Sequence, residues 1–125
     1  MENEISHKII GAAIEVHKVL GGPGLLESIY ESCLCHELTL RGLKVQRQVI
    51  VPVHYKGSVV KDSLYLDVLV DGMVIVEVKS SEKLHPIHEI QLLTYLRLTG
   101  KKLGLMINFG QEYVKDGIIR VVNGL

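Results

Sequence analysis

The chain has no tryptophan, one phenylalanine, three prolines and two cysteines in 125 residues. It also lacks net charge, since 14 Lys and Arg balance 14 Asp and Glu. Each shortage removes a class of protein. Two cysteines cannot build a disulfide scaffold. Cys33 and Cys35 lie two apart in a stretch of helical pattern, so they point to nearly opposite sides and cannot bond each other. Reduced thiols in a cytoplasmic protein are the expectation, and without a second pair they make no zinc motif. No apolar run approaches the ~18 residues of a membrane span, so no membrane is expected. The start, Met1-Glu2-Asn3-Glu4, is acidic and leads straight into a helical pattern, unlike a signal peptide. Neutrality also removes the overall basic character that marks many nucleic-acid binders. Function must therefore come from local placement of charge.

What is present suits a globular protein. The hydrophobic fraction is 47% and the charged fraction 22%, both ordinary. The length predicts one domain, residues 1–125, able to bury roughly two-thirds of its unfolded surface. No repeat, low-complexity run or linker interrupts it. Charge is unevenly spread: the first 40 residues hold six Glu and two Lys. Residues 41–61 hold Arg41, Lys44, Arg47, Lys56 and Lys61 and no acid. That stretch is either a solvated strand face or a basic strip that touches phosphates.

Ile5, Ile9, Ala12, Val16 and Val19 recur at helical spacing. Gly21-Gly22-Pro23-Gly24 ends that helix. A second is predicted from Leu25 to about Leu40, through Leu26, Ile29, Tyr30, Cys33, Leu34 and Leu38, with Gly42 as its stop. Val45, Val49, Val51, Val53 and Tyr55 then alternate with Gln46, Gln48 and His54 as a half-buried strand, and Pro52 predicts an edge, a bulge or a break. After a turn at Lys56-Gly57-Ser58, Leu64, Leu66, Val68 and Val70 alternate with Ser63, Tyr65, Asp67 and Leu69. Asp71-Gly72 is a hairpin turn and Met73 to Lys79 a third strand. Leu84-His85-Pro86 opens a helix that runs to about Leu98 and stops at Gly100. Leu103 to Phe109 and Gly117 to Val122 read as two more strands. The order ααβββαββ predicts an α/β fold with a central mixed sheet flanked by helices.

Three charges interrupt the apolar strands: Asp67 in one, Glu77 and Lys79 in the next. Buried charge is costly unless paired or metal-bound. Glu77 and Lys79 share a strand face, and a structural salt bridge is one explanation. Hairpin parity decides whether Asp67 joins them. A strict two-residue turn at Asp71-Gly72 places Asp67 on the face opposite Glu77. An odd loop, or a bulge of the kind common near active sites, makes them neighbours, and this is predicted. Two carboxylates beside a lysine suit phosphodiester hydrolysis. Their hard oxygens hold Mg²⁺ or Mn²⁺, and the lysine orients water or offsets transition-state charge.

Asp67 and, ten positions further on, Glu77-Val78-Lys79 resemble the D…ExK core of the PD-(D/E)XK, restriction-endonuclease-like superfamily. Gly24-Leu25-Leu26-Glu27-Ser28-Ile29-Tyr30 resembles the motif of the GxxExxY proteins, a bacterial and archaeal family of that superfamily. Gln91-Leu92-Leu93-Thr94-Tyr95 resembles the QxxxY element of RecB-like nucleases. The segments Ile9–His17, Gln91–Leu96 and Leu105–Gly110 are similar to the GxxExxY family as well, so the resemblance spans nearly the whole chain. It departs at one point, since no proline precedes Asp67.

The resemblance implies a restriction-endonuclease-like fold and assigns roles. Asp67 and Glu77 would be metal ligands, helped by the Val78 carbonyl and by Glu27 from the N-terminal helix. Lys79 would be the catalytic lysine. Gln91 and Tyr95 would position the lysine, the water or the nucleic-acid backbone. Bland readings stand beside these. Glu27 also suits the first turn of a helix electrostatically. Tyr30 either packs in the core or reaches substrate, and Gln91 and Tyr95 either wall the site or form a solvated stripe. His88 and Arg47 are candidate substrate contacts. Glu31 is expected in solvent and His17 in the core. His36, His54 and His85 lack ligand spacing. Ser28 and Ser63 lack a base, and the glycines near 22 lack the Lys-Ser/Thr pair of a P-loop.

The function expected is metal-dependent hydrolysis of nucleic acid, with DNA the favoured substrate, by in-line attack of water. The alternative is a catalytically silent module of the same fold serving a partner protein. A further alternative has the charges forming only an internal salt-bridge network, with Lys79 sealed between the acids. A homodimer would enlarge the contact surface of so small a chain.

Overall fold

Ile5, Ile9, Ala12 and Val16 form one buried stripe on the first helix, as their spacing predicts, whereas Val19 at the helix end is 72% exposed. The computed structural model describes all residues from 1 to 125. Its elements are α1 (Glu2–Val19), α2 (Glu27–Leu40), β1 (Val45–Tyr55), β2 (Ser58–Val70), β3 (Val74–Lys79), α3 (Ile87–Thr99), β4 (Leu103–Asn108) and β5 (Ile118–Val122). A 3₁₀ turn at Val114–Gly117 precedes β5 and was not expected from the sequence. No helix is long and apolar enough to cross a membrane.

The buried face of α2 differs from the expected one. Tyr30, Glu31, Leu34, Cys35 and Leu38 point inward, while Leu26 is 71% and Ile29 40% exposed. Gly42 then takes a positive φ of 84°, and Leu43 N–H donates to Leu38 O at 3.1 Å, which closes the helix end. Both cysteines are free. Burial pushes the Cys35 thiol up to about 11, so it stays an inert core group.

The sheet has the order β1-β2-β3-β4-β5. All neighbours are antiparallel except β3 and β4, which α3 connects as a parallel pair. Val68, Val70, Val74, Val76 and Val78 pack under α1 and α2. Leu69, Ile75 and Met106 pack under Leu92 and Leu96 of α3. β1 is an edge strand whose register shifts between Pro52 and His54, the bulge that Pro52 predicts.

The β2–β3 loop settles the parity question. Val70 pairs with Val74, so the loop is Asp71-Gly72-Met73, three residues long. Asp71 and Gly72 have φ of 51° and 65°. Met73 N–H donates to Val70 O at 3.0 Å, making Met73 the extra residue beyond the turn. Asp71 is anchored twice to Lys44, through Oδ1 and through its own N–H, both at 2.8 Å.

Candidate active site

The first two strands turn over near their middle. Val45 packs on the α1/α2 side, whereas Val49 and Val51 pack on the α3 side. Val68 and Leu66 divide in the same way. In an even strand these residues would share a face. The break falls at Gln48, whose φ is 48°, and at Asp67 across from it.

There the β2–β3 ladder ends. Regular pairing stops at Val68 and Val76. Beyond it, Asp67 N–H donates to Glu77 Oε2 at 2.9 Å, and Val78 N–H donates to Asp67 Oδ2 at 2.9 Å. Two carboxylates thus stand where backbone carbonyls would continue the sheet. Each uses one oxygen on a backbone N–H, and neither Asp67 Oδ1 nor Glu77 Oε1 accepts a hydrogen bond. Glu77 is 8% exposed and Asp67 half-buried. Burial, then the neighbouring Asp67 charge, pushes the Glu77 carboxyl up to about 8. Burial likewise raises Asp67, opposed by the bond from Val78 N–H.

This donor set fits a divalent cation. Two hard, mutually repelling carboxylates with free oxygens lie side by side, and the Val78 carbonyl belongs to the same segment. No group of three His, Cys, Asp or Glu side chains comes together to hold an ion. The set is the sparse kind that leaves much of an octahedral shell to water and substrate. Glu27, expected as a third ligand, stands exposed in the first turn of α2 and is not brought to the pair. The acid that α2 does bury there is Glu31, at 6% exposure, contrary to its expected place in solvent.

Lys79 is half-buried on β3, two residues beyond Glu77. The ion pairs of the molecule are Arg41–Glu37 and Arg47–Glu31, so Lys79 is not sealed in a bridge to either acid. Its position is fixed through its backbone. Lys79 O accepts Phe109 N–H at 2.8 Å. Asn108, paired with Lys79 and fully buried, bonds Ser81 twice, accepting Ser81 N–H at 3.0 Å and donating to Ser81 O at 2.9 Å. Gly110 packs so closely that an added Cβ would lie 2.1 Å from Ser81 O.

α3, which connects the parallel strands β3 and β4 and so runs back antiparallel to β3, carries Tyr95, Gln91 and His88. Tyr95 is half-buried against the core on the α3 side, and burial, then the charges of Glu77 and Asp67, raise its hydroxyl. Gln91 lies exposed one turn earlier and His88 nearly one turn before that. His88 is half-buried, and its Nδ1 is buried without a partner.

Tyr30 is a correction. It was a candidate substrate contact, but its side chain is 0% exposed. The ring stacks on Phe109 with centroids 4.6 Å apart, and the hydroxyl donates to Gly22 O at 2.7 Å and accepts Leu25 N–H at 3.2 Å. It fastens the glycine loop to the core. Arg47 is partly exposed, but its Nε and Nη2 are committed to Glu31 at 3.1 and 2.7 Å. His17 is buried and bonded to Phe109 O at 3.2 Å, and His85 Nδ1 caps α3 by accepting Ile87 N–H at 3.0 Å.

The sequence reading missed Glu31, Gln48 and Asn108. For Glu31 the available sign was its helical phase with Tyr30, Leu34 and Leu38. For Gln48 there was none. None of the four surface cavities is lined by Asp67, Glu77 or Lys79.

No curated protein and no solved structure is detectably similar to the chain. A family model described as the PD-(D/E)XK nuclease superfamily matches residues 3–121. Nucleases of that superfamily generally use divalent metal ions, in keeping with the carboxylate pair. The mixed sheet, the helices on its two faces and this match agree: the fold is restriction-endonuclease-like, and the chain belongs to the PD-(D/E)XK nuclease superfamily.

Proposed function

We propose that this chain is a divalent-metal-dependent nuclease of the GxxExxY group that hydrolyses phosphodiester bonds in nucleic acid, with DNA the favoured substrate. One observation carries the reading. Asp67 and Glu77 meet where β2 leaves β3, each with an oxygen to spare, and Lys79 lies alongside without an ion-pair partner. A cluster serving only stability would pair its lysine.

The residues divide the work as follows. The free oxygens of Asp67 and Glu77, with the Val78 carbonyl, hold Mg²⁺ or Mn²⁺. When bound, the ion supplies positive charge that polarises the phosphoryl oxygen and eases deprotonation of water. The Lys79 ammonium orients the attacking water and offsets negative charge on the pentavalent transition state. Tyr95 and Gln91 wall the site, and His88 extends that wall toward the flanking backbone. The outward edge of Arg47 remains available to phosphate. The chain is neutral, so its grip on nucleic acid without the ion is weak.

The test is cleavage of duplex DNA, single-stranded DNA and RNA with Mg²⁺ and with Mn²⁺, alongside Glu77→Ala. The wild type is expected to cleave, and the variant to lose activity by a factor on the order of 10²–10³ with an unchanged circular-dichroism spectrum. Equal activity in Glu77→Ala rejects the assignment. No cleavage together with no calorimetric heat at millimolar Mn²⁺ points instead to a silent binding module.

A further inference from the structure

Gln48 is unusual within the sheet. It has a left-handed backbone, φ 48°, in the middle of β1, while the other non-glycine residues with positive φ lie in turns. The register does not demand this. Arg47 pairs with Val68 and Val49 with Leu66, in step, so Gln48 lies across from Asp67. A residue with a Cβ resists that conformation, and it persists only where its surroundings hold it.

What holds it is a carboxylate from another element. Glu31 of α2 is 6% exposed, and its charge is fully engaged. Oε2 accepts Arg47 Nη2 at 2.7 Å and Nε at 3.1 Å, and the Gln48 amide nitrogen lies 3.2 Å from Oε1 and 3.3 Å from Oε2. The same residue, Gln48, stands opposite Asp67 on the neighbouring strand, because Arg47 and Val49 on either side of it pair with Val68 and Leu66. One residue thus sits between the buried acid of α2 and the acid of β2. Asp67 in turn holds Val78 N–H, the residue between Glu77 and Lys79.

We propose that Glu31 is a positioning residue. With Arg47 it pins Gln48 out of the ladder, so that the Gln48 amide faces Asp67 and fixes the carboxylate that carries Val78 N–H. Its consequence for catalysis rests on the nuclease reading, but the positioning itself does not.

Gln48→Gly separates positioning from structure. Glycine adopts positive φ freely, so the backbone is kept and only the amide is lost. The expected melting temperature is equal to or above that of the wild type. Exchange of the Val78 amide proton, measured by NMR without metal, is expected to quicken about tenfold, while amides inside the β3–β4 ladder keep their rates. Cleavage is expected to lose about tenfold in kcat with KM within about twofold. Glu31→Gln, which breaks the Arg47 fork, is expected to quicken Val78 exchange in the same way. Unchanged exchange at Val78 in Gln48→Gly overturns the proposal whatever the activity, and unchanged exchange in Glu31→Gln overturns the part given to Glu31. Quickened exchange in both, in a protein that cleaves nothing, upholds the positioning and removes the nuclease reading.

Discussion

β3 has two neighbours and treats them differently. With β4 it forms six consecutive pairs, from Val74–Leu103 to Lys79–Asn108. With β2 it forms three, after which the carboxylates of Asp67 and Glu77 take over the backbone donors. One junction is regular and sealed, and the other opens. Both are needed for a site of this kind. An intact ladder leaves no room for side chains between strands, and a strand open on both sides would not hold them still. β3 gives up pairing on the β2 side and relies on β4 for its position. The cost is the burial of Glu77 and, after it, repulsion from the Asp67 charge, which together raise the Glu77 carboxyl.

The strongest way to break this contrast is Asp67→Ala, which removes the acceptor of Val78 N–H and one of the two carboxylates at the open junction. Cleavage and Mn²⁺ binding are expected to vanish together in activity assays and calorimetry, while the β3–β4 ladder keeps its slow amide exchange. Retained Mn²⁺ affinity would show that the two acids do not act as one site.

A smaller effect follows from pH. Between the ordinary glutamate value and about 8, folded Glu77 holds a proton that the unfolded chain has released. Raising the pH across that window therefore costs stability, and the loss levels off above it. At ~1.4 kcal/mol per pH unit of displacement, the total is a few kcal/mol. Melting temperatures of the metal-free protein should fall from pH 5 to 8, and Glu77→Gln should flatten the curve. A flat wild-type curve would mean that the open junction carries no such strain.

The smallest effect lies on the sealed side. Tyr30→Phe removes the hydroxyl bonds to Gly22 and Leu25 but keeps the stack on Phe109. It should cost ~1 kcal/mol in denaturant unfolding and leave cleavage unaltered. A loss of kcat there would show that the two sides of β3 are coupled.

The framework was legible because periodicity is local. Ile5, Ile9, Ala12 and Val16 announce a helix without reference to anything distant, and the alternating strands and Gly42 do the same. The site was legible in part. Asp67, Glu77 and Lys79 stood out as charges among valines, but their meeting depended on one residue of loop length, and Asp-Gly suits either parity. Burial of Glu31 was hidden, because its partners come from β1, sixteen and seventeen residues away in sequence. The left-handed turn at Gln48 left no mark, since neither Gly nor Asn stands there. Tyr30 misled because a motif tyrosine invites a functional role, and only tertiary packing shows that both its ring and its hydroxyl are occupied.

The clamp beyond β3 has a consequence for the energetics of encounter. Ser81 is bonded to Asn108 on both its N–H and its C=O, and Gly110 presses against it. The backbone that carries Lys79 is therefore already ordered in the free protein. Its conformational entropy is lost during folding, and a bound substrate need restrain little more than the lysine side chain.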